Sequence, residues 1–147
     1  MNKDLSKKMD GYLADTAVMY IKLHNLHWNV YGLQFKSVHE YLETLYDGIT
    51  ENMDAIAEVL RMYGEYPVAS MADFLKISKI KELPSEKVEV KEALKITLDD
   101  LKLLDQEAKE IRLVADEEEA FDIVAMMEDH CAVFQKAIWF ISSMLTN

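Results

Sequence analysis

The sequence predicts an all-α protein: a four-helix bundle with one short extra helix in the long crossover between helices two and three. Three observations predict it. Half of the 147 residues are apolar and only four are Gly and two Pro, which excludes disorder and disfavours a turn-rich β fold. Long segments carry apolar residues at intervals of three and four, the period of an amphipathic helix. The breaks between them fall at Gly, Pro or clustered polar residues. A chain of this length is one domain with a substantial single core.

The first helix is expected from about Asp4 to Val30, with Leu5, Met9, Tyr12, Thr16, Met19, Leu23, Leu26 and Val30 along one face; Tyr31 and Gly32 end it. The second starts at Ser37 or just before it and runs to about Tyr63, stopped by Gly64 with Pro67 beyond. Its apolar stripe is Val38, Leu42, Leu45, Ile49, Met53, Ile56, Leu60 and Tyr63. Residues 65–85 are too polar and Pro-punctuated for one helix, yet Ser70 to Leu75 reads as a short helix capped by Ser70. So long a crossover lets the helices on either side run parallel. The third long helix spans roughly Glu86 to Ala115, with Val90, Leu94, Leu98, Leu101, Leu104, Ala108 and Ile111 inward. The fourth runs from about Glu118 to Leu145, with Val124, Met127, Cys131, Phe134, Ile138 and Ile141 inward. Val133, Trp139, Phe140 and Met144 broaden its apolar surface, implying contact on more than one side.

The second helix also carries two i,i+4 pairs of metal-ligand residues, His39/Glu43 and Asp54/Glu58, and His27 lies on the helix before. Imidazole and carboxylate without thiolate suit iron, manganese or zinc. At about 100° per residue, the four positions on the second helix cluster roughly 135° from the centre of its apolar stripe, pointing away from the chain's own core. A metal site inside a bundle takes core-facing ligands, often Glu-x-x-His. Here Lys36 stands three before His39 and Met127 three before His130, so the sequence lacks that arrangement. Glu43 and Asp54 lie about 16 Å apart along the helix axis, too far for one metal centre to touch both.

Two such helices crossing antiparallel about a two-fold axis bring Glu43 of one copy to Asp54 and Glu58 of the other, giving two equivalent sites. The stripe is therefore expected to be a dimer interface that binds metal. Carboxylates on a non-core face are ordinarily solvated surface, and Lys36, Glu40, Asp47, Glu51 and Arg61 share this one. Spacing alone leaves both readings open. Thr50 and Ala57 are small enough to admit a partner helix, and Trp28, off the apolar face of the first helix, needs a cover.

The formal charge of −11 bears on partners. Nucleic-acid binding draws on phosphate neutralisation by Lys and Arg. Lys3, Lys7 and Lys8 are interleaved with Asp4 and Asp10, with no basic tail before the first helix, so direct DNA binding is not expected. An acidic shell gathers cations instead. No apolar run approaches the roughly 20 residues of a membrane span, and the N-terminus lacks a secretory pattern. With Cys131 alone there is no internal disulfide, so a cytoplasmic location is expected. Cys131 itself is expected to be buried between Met127 and Phe134.

The stretch from Lys22 to Glu43, with its His27-Trp28, Gly32-x-x-Phe35 and His39-x-x-x-Glu43, resembles the Dps family of mini-ferritins. The pattern continues through Asp54-x-x-x-Glu58, Gly64-x-x-Pro67 and Ser70-Met71-Ala72-Asp73-Phe74 to Lys136-Ala-Ile-Trp139, covering nearly the whole chain. The resemblance implies a ferritin-like bundle assembled as a hollow homododecamer with two-fold, metal-binding interfaces. It implies ferroxidase sites of two iron ions each, with His27, His39 and Glu43 from one subunit and Asp54 and Glu58 from its neighbour. Fe(II) would be oxidised by hydrogen peroxide or oxygen and stored as ferric mineral, protecting against oxidative stress. The alternatives are a nucleoid-associated DNA-binding member with secondary metal chemistry, or a bundle that uses this face for assembly alone.

This chain departs from the family pattern in three ways: Glu43 stands where Asp is frequent, Val59 where many relatives have Arg, and the basic tail of some members is missing. Outside the ligand set, His24 is expected to pack or hydrogen-bond at the interface and His130 to be structural. Trp28 is open between intercepting stray oxidising equivalents and packing, and Asp47 between an outer acid and a solvated side chain. The acidic run Asp116, Glu117, Glu118, Glu119 with Asp122 is read as opening the fourth helix. Its charge either stabilises that helix N-terminus or lines a three-fold pore that draws Fe(II) inward.

Overall fold

An apolar residue at nearly every third or fourth position makes helix α1 of Lys3–Asn29 in the computed structural model, which describes residues 1–146. Its N-terminus is capped by Asn2, whose side chain accepts from the Leu5 N–H. Leu5, Met9, Tyr12, Thr16, Met19, Leu23, Leu26 and Val30 are all buried, as the periodicity predicts. The remaining elements are β1 (Val30–Tyr31), α2 (Phe35–Met62), α3 (Met71–Ile77), β2 (Val88–Glu89), α4 (Val90–Glu117) and α5 (Phe121–Leu145). The architecture is a ferritin-like four-helix bundle with a short helix in the crossover.

Cross-helix contacts set the directions. Tyr20 meets Tyr46 and His27 meets His39, so α1 and α2 are antiparallel. Lys22 pairs with Asp100 at 2.6 Å, further along α1 than the Asp15–Glu107 contact, so α4 also runs against α1. Helices α2 and α4 are therefore parallel, the arrangement a long crossover permits. Gln135 donates to Asp105 and Arg112 to Glu128, which makes α5 antiparallel to α4.

The crossover climbs α1 through side chains of α1 itself. Asp10 accepts from the Val68 N–H at 3.0 Å, and Asn25 donates to the Leu83 and Pro84 carbonyls at 3.3 Å. Between these, Asp15 Oδ1 accepts from Ser78 Oγ at 2.7 Å and from the Lys79 and Ile80 N–H groups at 2.6 and 3.2 Å. Asp15 is buried against Glu107 of α4, also buried. No donor from the described chain reaches Asp15 Oδ2 or Glu107 Oε1. Burial, then the hydrogen bond and charge of Asp15, push the Glu107 carboxyl up to about 9, so the pair shares a proton at neutral pH. Ser70 caps α3 by accepting from the Asp73 N–H, as expected.

Several boundaries and faces differ from the sequence reading. Helix α4 begins at Val90, not Glu86, because Val88 and Glu89 pair in parallel with Val30 and Tyr31. That two-residue ladder was not expected in an all-helical chain. Glu89 then caps α4 by accepting from the Lys91 N–H. Helix α5 begins at Phe121, not Glu118, and Asp116 and Glu117 finish α4 instead of opening α5. The chain turns at Glu119, which takes a left-handed φ of 59° while the Ala120 N–H reaches back to the Ala115 carbonyl. Of the acidic run only Asp122 lies in the first turn of α5, so charge stabilisation of that N-terminus applies to it alone.

Cys131 is half-buried rather than in the core. The seam position is taken by its neighbour His130, which is buried with its Nδ1 hydrogen-bonded to the Tyr12 hydroxyl at 2.8 Å. Burial lowers the His130 imidazole to about 4, so it stays neutral and structural. Leu98 is likewise half-buried; Ala93, Thr97 and Ala115 fill α4's inner face with the other expected residues.

Candidate metal centre

Both imidazoles of the ligand stripe are held by main chain. Because α1 and α2 are antiparallel neighbours, His27 and His39 come opposite one another. His27 Nδ1–H donates to the His39 carbonyl at 2.6 Å, and His39 Nδ1–H donates to the His27 carbonyl at 2.7 Å. A carbonyl only accepts, so each Nδ1 carries a proton, and in the neutral ring Nε2 is the nitrogen with the lone pair. That is the tautomer a metal-ligating imidazole requires, with its other nitrogen anchored. The rings stack at 3.7 Å and 11°, and Phe35 stacks on His39 at 5.1 Å.

Glu43, one turn along α2, places Oε1 3.7 Å from His27 Nε2. It is exposed, whereas His27 is buried, so the donor set lies at the lip of the α1–α2 hairpin and faces outward. The structure thus stacks His39 on His27 and sets Glu43 beside His27. Asp54 and Glu58 form a second group further along the same face of α2, both exposed. A hydrogen bond to Asp54, then the Asp54 charge, raises the Glu58 carboxyl above its usual range. The two groups are separated by unbroken helix, about 16 Å at the helical rise. Among the described residues, no three His, Cys, Asp or Glu side chains of the single chain gather where a metal ion could be held.

The donor chemistry fits a hard or borderline divalent ion: two neutral imidazoles and three carboxylates, with no sulfur. Cys131 sits on α5 beside Asp105 and Lys109, outside this set; burial and Asp105 raise its thiol. Asp47 is exposed on α2, and Trp28 is 67% exposed, as the sequence predicts. His24 packs on Tyr46 with ring centroids 3.7 Å apart, and its Nδ1–H donates to the Tyr20 carbonyl, so packing describes it.

Tyr46 was not singled out from the sequence. Its hydroxyl donates to Glu43 Oε1 at 3.3 Å, and burial followed by the Glu43 charge raises its phenol. The signal was present: Tyr46 lies seven residues beyond His39, two helical turns along the same face. Three of the acidic residues at the α4–α5 turn are engaged. Asp116 faces Arg112 at 3.7 Å, Glu118 accepts from the Asn2 N–H, and Asp122 accepts from the Tyr63 hydroxyl at 2.6 Å. The Asp122 bond and burial push the Tyr63 phenol to about 12.

Residues 7–147 match the ferritin-like domain family. A DNA protection during starvation protein of Helicobacter pylori is 33% identical over 132 residues, 90% of this chain and 92% of that protein. The crystal structure of antigen TpF1 from Treponema pallidum superposes with a TM-score of 0.96 at 34% identity, covering 98% of this chain and 92% of that one. A Dps protein from Bacillus brevis superposes with a TM-score of 0.92 at 30% identity, covering 99% of this chain and all (100%) of that one.

Proposed function

The chain belongs to the Dps family of ferritin-like proteins, and on that premise we propose that it is a ferroxidase that stores iron. Two copies dock along α2 about a two-fold axis, so that His27, His39 and Glu43 of one face Asp54 and Glu58 of the other. Each pocket takes two Fe(II) ions as substrate, and such dimers build a dodecameric shell that holds the ferric product. The observation that carries this reading is the reciprocal anchoring of His27 and His39 through Nδ1, which leaves Nε2 of each ring unused by the main chain, with Glu43 beside that of His27.

The chemistry explains the pairing. Two Fe(II) give one electron each to one hydrogen peroxide, whose O–O bond breaks; with two protons this yields two Fe(III) and two waters. A single Fe(II) delivers only one electron and releases hydroxyl radical. Carboxylate oxygen favours the Fe(III) product, and neutral imidazole holds Fe(II) without adding charge. The −11 net charge concentrates cations around the shell and opposes phosphate contact, so the reading puts iron before DNA.

The test is stopped-flow oxidation of Fe(II) by peroxide with the double variant His39→Ala, Asp54→Ala. Fast oxidation is expected to disappear while sedimentation still finds the assembled particle. Wild-type kinetics in the variant would refute the pocket.

A further inference from the structure

Glu43 is a long, exposed side chain asked to present one oxygen to an ion, and fixing such a chain costs rotamer freedom. A rigid stack beside it limits where it can go. His24 is anchored through Nδ1–H to the Tyr20 carbonyl at 2.7 Å. Tyr46 lies on His24, with ring centroids 3.7 Å apart and planes at 23°. It meets His27 edge-on at 5.4 Å and Tyr20 edge-on at 6.3 Å. Held on these sides, its hydroxyl donates to Glu43 Oε1 at 3.3 Å.

We propose that Tyr46, clamped by His24, is a positioning residue that holds the Glu43 carboxylate beside His27 for metal capture. The proposal rests on the metal-pocket reading above and extends it to two residues that coordinate nothing. One lone pair of Oε1 is occupied by the phenol, so Oε2 and the remaining lone pair stay available to an ion. The constraint runs from α1 main chain through His24 and Tyr46 to Glu43. Aspartate at position 43 would draw its oxygens back from the Tyr46 hydroxyl by one methylene, so the stack suits the longer residue found here.

The experiment titrates the assembled protein with Co(II) alone, reading affinity by calorimetry and site geometry by the visible spectrum. Tyr46→Phe keeps the ring on His24 and removes only the hydroxyl. It is expected to weaken Co(II) binding about three- to tenfold, the worth of one such hydrogen bond, and to alter the Co(II) spectrum. In a Glu43→Ala background the same change should do nothing further. An unchanged affinity and spectrum in Tyr46→Phe overturns the proposal, as does an equal loss in the Glu43→Ala background. In a parallel sample loaded with Fe(III), a visible ferric–phenolate band in the wild type that is lost in Tyr46→Phe also overturns it by making Tyr46 a ligand. Co(II) binding that survives His39→Ala unchanged refutes the pocket itself, and Tyr46's role with it.

Discussion

Replacing Glu107 by Gln is expected to stabilise the subunit, increasingly so as pH rises. Glu107 is pushed up from 4.5 to about 9, so between those values the unfolded chain has released a proton that the folded chain retains. Stability therefore declines with rising pH through this window, by at most about 1.4 kcal/mol per pH unit. From 4.5 to pH 7 the ceiling is about 3 kcal/mol, and solvent reaching Glu107 from the open groove beside Lys79 and Glu110 reduces it to about 1–2 kcal/mol. Glutamine carries no such penalty, and its amide N–H can donate to Asp15 Oδ2, which otherwise depends on the shared proton. Thermal midpoints of wild type and Glu107→Gln should nearly coincide near pH 4.5 and diverge above it, reaching roughly 3–6 °C at pH 7. The infrared carbonyl band of a neutral carboxyl at pH 7 should vanish in the variant. Parallel midpoint curves between pH 5 and 9, with no lost band, would show that Glu107 is ionised and the shared proton an error.

Two further outcomes follow from the electrostatics. A gel-shift titration with duplex DNA at physiological salt should show no complex, because a net charge of −11 opposes phosphate contact; a shifted band would revive the nucleoid reading. Converting Glu118, Glu119 and Asp122 together to their amides should leave the local contacts intact, since amide oxygens still accept from Asn2 and Tyr63. If these residues guide Fe(II), uptake should slow on the order of tenfold at low salt, with the difference fading at high salt. Equal uptake rates would remove the guiding role.

How far the sequence could be read depended on how local the cause was. The main buried face of helix α1 was legible, because its burial repeats with the helical period and needs no knowledge of its neighbours; the second buried face, with Leu13, Ala17 and Val18, was not. The outward placement of Glu43, Asp54 and Glu58 was legible for the same reason: it is the phase of one helix. The start of α4 was not. Glu86 to Glu89 are compatible with helix, and only the pairing of Val88 with Val30, residues far apart in sequence, draws them into extended chain. The end of α4 failed differently, since acidic residues continue a helix well until Glu119 adopts a conformation usually left to Gly or Asn. Cys131 and His130 are adjacent, and sequence hydrophobicity favoured the thiol for the core. The Tyr12 hydroxyl, arriving from another helix, decides for the imidazole.

The mutual carbonyl bonds of His27 and His39 make the same two rings both receptor and rivet. Severing either one loosens the seam between the first two helices while it deletes a donor atom, so a defect seen after such a change mixes two injuries. A substitute that keeps an N–H toward the opposite backbone yet offers no second nitrogen would separate them. The same bonds mean that ring orientation and tautomer are settled as the hairpin closes, before any cation arrives.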